Sequence, residues 1–164
     1  MNAADFPSAG LQQAIERLAR MPAFLRAAIE AADPDELVFQ PGEDGFSLVE
    51  QACHLRDLER EGYLARARRM LFESAPTLEG FDGTAVAKAR DYLAQDARAA
   101  AREFAAARGE LIALLAPLRG SQLAREADFG GERVTLADLV AMMVEHDRSH
   151  REEIEELLDA LESP

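Results

Sequence analysis

The chain has 164 residues, of which 48% are hydrophobic and 30% charged, a composition typical of one globular domain spanning residues 1–164. Its 31 acidic residues outnumber its 18 basic ones, so the formal net charge is −13. This charge argues against binding to nucleic acid or to an anionic membrane surface, because proteins bind both through basic surface patches. No apolar run approaches the ~20 residues of a membrane-spanning helix.

Two features predict a cytoplasmic location. Residues Met1–Gly10 have neither a basic start nor an apolar core, so no signal peptide is expected. Cys53 is the one cysteine and cannot form an internal disulfide. Folding should therefore rest on an apolar core, which a chain of this length can build without disulfides.

Apolar residues at helical spacing predict the first two of four long helices. The first follows the run Leu11–Ala32, and Pro22 inside it predicts either one bent helix or two nearly collinear ones. The segment Asp33–Phe46 has the proline and glycine content of a loop. Ser47–Glu50 then has the form of a capping box, which starts a second helix expected to run to about Glu73.

The third helix is predicted from the run Leu93–Leu118, in which apolar residues repeat at alternating steps of four and three. Asp128–Gly131 predicts a turn, and Thr135–Asp138 resembles a second cap, after which the last helix extends to about Leu161. Strand signals are nearly absent, and only Glu36–Gln40 is expected to be locally extended. The pattern predicts an all-α, four-helix bundle.

The three histidines of the chain, His54, His146 and His150, are the residues that indicate chemistry. His146 and His150 lie four residues apart on the last helix, so they share a face with Cβ atoms about 5–6 Å apart. His54 aligns with Leu58 on the second helix and can also face the interior. Spacing alone leaves two interpretations open, a metal site or hydrogen-bonded core histidines.

Four carboxylates lie in helical register with these histidines: Glu50, Asp57, Glu61 and Glu153. Each could accept a proton from an imidazole nitrogen, although Glu50 is explained more simply as the capping-box residue. Cys53 points about 100° away from its neighbour His54 and is expected to be a buried structural thiol. The arginines of the second helix could recognise an acidic substrate or pair with the surplus acids: Arg56, Arg60, Arg66, Arg68 and Arg69.

Two segments resemble the signature regions of the DinB-like superfamily, which is related to bacillithiol transferases and mycothiol-dependent maleylpyruvate isomerases: Phe46–Leu55 and Glu145–His150. The upstream Phe39–Gly42 also fits, and the similarity covers nearly the whole chain in helix order and spacing. The resemblance implies a four-helix bundle in which the three histidines hold a divalent metal. Zinc or nickel is expected first, and iron or manganese would also accept imidazole.

The resemblance leaves alternative functions open. One is an enzyme that transfers a low-molecular-weight thiol to an electrophilic small molecule, or catalyses a related hydrolysis, because three ligands leave a metal position for thiolate or water. Another is a non-enzymatic stress-response bundle that binds a metal or small ligand. A third is a metal-free bundle that acts through protein contacts. No general base is apparent, and a homodimer is an option because related bundles often pair.

Overall fold

The computed structural model describes residues 8–163, so most of the segment considered for a signal peptide, up to Pro7, lies outside the described residues. The helices are α1 (Ser8–Ala31), α2 (Pro34–Leu37), α3 (Leu48–Asp57), α4 (Ala65–Phe72), α5 (Gly83–Ala89), α6 (Ala97–Leu115), α7 (Gly120–Leu123) and α8 (Leu136–Glu162). A π-helical segment, Leu58–Leu64, joins α3 to α4, and a 3₁₀ turn, Tyr92–Ala94, precedes α6. Within this range, no helix is both long and apolar enough to cross a membrane.

The first predicted helix is one continuous element, α1, with Pro22 inside it. The buried side chains of Leu18, Met21 and Leu25 carry the apolar face across the proline, so packing compensates for the missing backbone hydrogen bond. The carbonyl that Pro22 leaves without its helical donor is that of Leu18, and it accepts a hydrogen bond from Arg108 of α6 at 2.9 Å. A side chain of α6 thus supplies the hydrogen bond that Pro22 removes from α1.

The second and third helices differ in detail from their predictions. Ser47 and Glu50 form the predicted capping box at the start of α3, but the helical run then passes through the π-helical segment before it ends at Phe72. The third helix starts at Ala97, capped by Asp96, and not at Leu93. Leu93 lies in the 3₁₀ turn and is 40% exposed, so its place in the apolar run was coincidental.

A small sheet was not predicted. Strands β1 (Thr77–Leu78), β2 (Glu126–Phe129) and β3 (Glu132–Thr135) stand in the order β1-β2-β3, with β1 and β2 parallel and β2 and β3 antiparallel. Strands of two to four residues are too short to show alternation in a sequence. The predicted turn is present as the β2–β3 hairpin, whereas Glu36–Gln40 is not extended throughout, because α2 includes its first residues.

Helices α1, α3, α6 and α8 form the bundle and bury two apolar clusters, one towards each end. Along α8 the first cluster ends at Met143 and the second begins at Ile154. Along α6 the corresponding residues are Leu111 and Phe104. The interval between the clusters contains buried polar side chains, and the histidines lie there.

Candidate metal centre

Three histidine side chains meet between α3 and α8. One ring atom from each of His54, His146 and His150 lies within 4.8 Å of the other two, in an arrangement that could hold a metal ion. The ring centroids are 4.3 Å apart for His146 and His150, 4.7 Å for His54 and His150, and 5.5 Å for His54 and His146. His54 and His150 are buried and His146 is half-buried, so all three face the interior or its rim as the sequence predicts.

Aromatic side chains enclose the cluster. The ring of His54 lies 5.5 Å from that of Phe46 and 6.2 Å from that of Phe81. Tyr63, in the π-helical segment, meets His146 edge-on at 5.8 Å. These rings shield His54 and His146 in part from water, and the desolvation of the imidazoles governs their protonation.

Burial lowers the pKa of each histidine. The pKa of His54 falls to about 4 because of burial and then the neighbouring His150. That of His146 falls to about 3 through burial and then the other two imidazoles, and burial alone lowers that of His150 to about 4. All three rings are therefore neutral at pH 7, the form in which imidazole binds metal ions.

Gln51 and Glu153 determine which nitrogen of His150 is available. The amide of Gln51 donates from Nε2 to Glu153 Oε2 at 2.9 Å, so its Oε1 is the atom that faces His150 Nδ1, at 2.7 Å. An amide oxygen only accepts, which puts the proton of His150 on Nδ1. The lone pair on Nε2 is then left for a ligand, as in metal sites where an outer hydrogen bond orients the imidazole.

His54 supplies the test of whether a metal fits here. Its Nδ1 atom is buried and has no hydrogen-bond partner in the part of the chain that the structure describes. Gly83 lies against the same edge of the ring, since a Cβ at this position would come within 2.7 Å of Cε1 and 2.9 Å of Nδ1. A buried imidazole without its full set of partners, among two further neutral imidazoles, fits the donor set of a divalent transition metal.

Only one of the four carboxylates in register with the histidines contacts them. Glu153 Oε2 lies 3.4 Å from His150 Nδ1. Asp57 instead accepts hydrogen bonds from Arg56, Arg90 and the Tyr92 hydroxyl. Glu61 pairs with Arg90, and Glu50 serves the capping box and also accepts from Gln40: all three are engaged away from the imidazoles.

The other sequence candidates have structural roles. Cys53 is buried, its Sγ lies 3.6 Å from Gln95 Oε1, and burial raises the pKa of the thiol to about 11, so it stays protonated. Four of the five arginines pair with acids: Arg56 with Asp57, Arg60 with Glu103, Arg68 with Glu110 and Arg69 with Glu73. Arg66 is the exception; it donates to the Glu79 carbonyl and stacks on Phe129 at 4.7 Å.

A buried ion cluster that was not predicted from the sequence lies beside the histidines and is formed by Glu59, Arg108 and Asp147. The guanidinium of Arg108 donates to both oxygens of Asp147, at 2.6 and 3.0 Å, and also to Glu59. A signal was present, because the apolar stripe of the last helix steps from Met143 to His150. The core position between them belongs to Asp147, a charged residue in apolar register.

A cavity of about 450 Å³ opens over the histidines. His54 and His150 line it together with Gln51 and Glu153. Its other walls come from the loop before α3, from the start of α5 and from the second half of α8: Pro41, Asp44, Gly45, Phe46, Gly83, Thr84, Glu156 and Leu157. The volume suits a small molecule.

The family model of the DinB superfamily matches residues 17–154. The chain belongs to this superfamily. The family resemblance of the two histidine-containing segments is thereby confirmed. Among curated proteins, none matches the chain.

A solved structure shows the same fold. YfiT from Bacillus subtilis is 24% identical to this chain, and the match covers 94% of this chain and 89% of YfiT with a TM-score of 0.87. YfiT is described as a probable metal-dependent hydrolase with an unusual four-helix bundle topology. The predicted four-helix bundle of DinB-like type is confirmed.

Proposed function

We propose that the protein is a metal-dependent enzyme acting on a small molecule, with a divalent cation held by His54, His146 and His150. The observation that supports this is the set of three neutral, inward-facing imidazoles within 4.8 Å of one another beside an open cavity. Within residues 8–163, no cysteine or carboxylate joins the group. Zinc sites with three protein ligands and an open position are the catalytic kind, and zinc or nickel remains our first expectation ahead of iron or manganese.

When bound, the metal would act as a Lewis acid that lowers the pKa of a coordinated water or thiol. The residues of the chain orient the imidazoles and accept the proton. Gln51 holds the proton of His150 on Nδ1, and the rings of Phe46, Phe81 and Tyr63 cover part of His54 and His146. Glu153 is half-exposed in the same cavity, so its free oxygen is in place to take up the proton of the attacking water or thiol.

Two reactions fit this arrangement, hydrolysis and the transfer of a low-molecular-weight thiol to an electrophile. The likeness to YfiT, described as a probable hydrolase, supports the first. The superfamily's relation to bacillithiol transferases supports the second. The cytoplasmic location and a homodimer stay predictions.

Metal analysis of protein purified without a polyhistidine tag tests the proposal, followed by assays with chromogenic esters and with several thiols and aryl electrophiles. We expect about one metal per chain, lost in His54→Ala and His146→Ala. Glu153→Gln should keep the metal and lose most of the turnover, because the amide cannot accept a proton. Stoichiometric metal without turnover of any substrate would favour the non-enzymatic alternative.

A further inference from the structure

The mouth of the cavity over the histidines carries charge of one sign. Asp44, Glu153 and Glu156 line it, and no lysine or arginine of the described residues does. In the described part of the chain, no basic group lies within 4.0 Å of Asp44 or Glu156, whereas many other acids of the protein are paired. Lys88 lines an adjacent groove of about 430 Å³ and not this cavity.

A second observation identifies this cavity as a ligand site and not as an ordinary acidic surface. His54, which is only 7% exposed, lines the cavity, and its Nδ1 atom has no partner among the described residues. The acidic groups thus surround the approach to an unsatisfied buried imidazole. A molecule that reaches His54 and His150 through this cavity passes these carboxylates.

The position of the carboxylates along α8 gives their distance from the histidines. Glu153 and Glu156 follow His150 by three and six residues. A helix rises 1.5 Å per residue, so their Cα atoms lie roughly 4.5 and 9 Å further along the axis. Asp44 reaches the same cavity from the loop before α3.

We propose that this cavity selects small molecules that carry a cationic group, a protonated amine or a guanidinium, about 9 Å from the end that reaches the histidines. The proposal rests on the proposed function and deepens it, because it names the charge of the substrate. The unpaired carboxylates attract such a group and repel a thiol or an electrophile that carries a carboxylate of its own.

Three hydroxamates of similar length test the charge selection by binding alone. They are 6-aminohexanohydroxamate (cationic), heptanohydroxamate (neutral) and the monohydroxamate of adipic acid (anionic), titrated calorimetrically into zinc-loaded protein. We expect the cation to bind about tenfold or more tightly than the anion at low salt, with the difference shrinking at high salt. Equal affinity for the three compounds would overturn the proposal.

A double variant with a matched control locates the effect. Asp44→Asn with Glu156→Gln should reduce the difference in affinity between the cation and the anion severalfold, with Glu153 still charged, and leave the neutral compound unchanged. Asp159→Asn with Glu162→Gln alters the net charge equally on residues that do not line the cavity, and it should keep the preference. A preference that the first pair leaves undiminished, or that the second pair reduces equally, contradicts the proposal.

The same compounds separate this proposal from the function it rests on. The corresponding 4-nitrophenyl esters report turnover. A cation preference in binding without turnover of any ester or thiol would remove the enzymatic proposal and leave the charge selection standing. Turnover with equal kcat/KM for cationic and anionic esters would do the reverse.

Discussion

Two buried polar groups lie near each other in the middle of the bundle, and they differ in how their atoms are partnered. In the ion cluster, the guanidinium of Arg108 meets Glu59, Asp147 and the carbonyl of Leu18. In the histidine cluster, the buried Nδ1 atom of His54 has no partner among residues 8–163, and a cavity opens beside the ring. The first group consists of charges that bind one another, and its one unpartnered buried side-chain atom among the described residues, Glu59 Oε1, belongs to a carboxylate whose other oxygen is bound to Arg108. The histidine cluster can bind a ligand that the chain itself does not supply, such as a metal ion.

The two groups are also connected along the chain. Asp147 directly follows His146 on α8, and its contact with Arg108 ties α8 to α6. Arg108 in turn binds the carbonyl that Pro22 leaves free in α1. The ion cluster is therefore expected to fix the height of α8 in the bundle, and with it the position of two histidines.

Replacing Arg108 by methionine should have the largest effect on stability. The change leaves the carboxylates of Glu59 and Asp147 buried without their cation, and breaking a buried pair in this way costs about 3–5 kcal/mol. Urea denaturation would measure the loss in the free energy of unfolding.

The control is the triple variant Glu59→Leu, Arg108→Met, Asp147→Leu, which removes every charge of the cluster. Such replacements are often neutral or stabilising, so this variant should recover most of the loss. A single variant that costs less than about 1 kcal/mol would show that the cluster does not hold the fold.

Removing the metal should lower stability without unfolding the helices. The two apolar clusters are complete without any ion, so the bundle does not need the centre to fold. The loss follows the binding linkage, which is ~4 kcal/mol at a thousandfold excess of metal over Kd. Far-ultraviolet circular dichroism with and without chelator would check this on metal-loaded protein. Loss of most helical signal at 25 °C would mean that the centre is structural and would weaken the case for an open catalytic site.

The sequence predicted the bundle because long helices with apolar faces leave a periodic pattern, and it predicted the inward histidines because His150 continues that pattern. It did not predict the ion cluster, since Arg108 and Asp147 are 39 positions apart and each, taken alone, is a single charged residue in an apolar pattern. The contact of Gly83 with His54 could not be predicted from the sequence either. Its close approach to His54 depends on how α5 packs on α3, which no local pattern encodes.

Losing one of the three histidines should reduce metal affinity more than losing any neighbouring carboxylate. His54→Ala leaves two protein ligands, and we expect a fall of well over 100-fold, beyond the range for an outer hydrogen-bond partner. Asp57→Ala is the comparison, since its carboxylate binds Arg56, Arg90 and Tyr92 and not an imidazole. Competition with a chromogenic chelator would measure both. Similar affinity in the two variants would exclude His54 as a ligand.

A smaller loss of metal affinity is expected when Gln51, the hydrogen-bond partner of His150, is replaced. Gln51→Leu removes the acceptor that holds the proton of His150 on Nδ1, and such a loss typically lowers metal affinity 10–100-fold. Gln95→Leu is a matched control, because Gln95 contacts Cys53 and Arg56 and none of the histidines. The same chelator competition applies. Equal affinity of the two variants would mean that the tautomer of His150 does not depend on Gln51.

The smallest change is expected in the dependence of metal binding on pH. Exposed histidines take up protons near pH 6.5 and would release a metal there. Burial holds the pKa values of His54 and His150 at about 4 and that of His146 at about 3, so protons compete with the metal only near pH 4. Metal affinity should therefore stay nearly flat from pH 7 to about 5.

Unlike metal affinity, the stability of the metal-free protein should depend on pH in this range. In the unfolded chain the three histidines bind protons below pH 6.5, while in the folded chain they stay neutral until about pH 4. The unfolded state thus binds more protons over this window, so the free energy of unfolding falls as the pH drops from 6.5 towards 4. Urea denaturation at several pH values would measure the slope, and the variant His54→Gln, which removes one of the titrating groups, should make it shallower. An unchanged slope in this variant, or metal release centred at pH 6.5, would mean that the imidazoles are hydrated and that burial does not lower their pKa values.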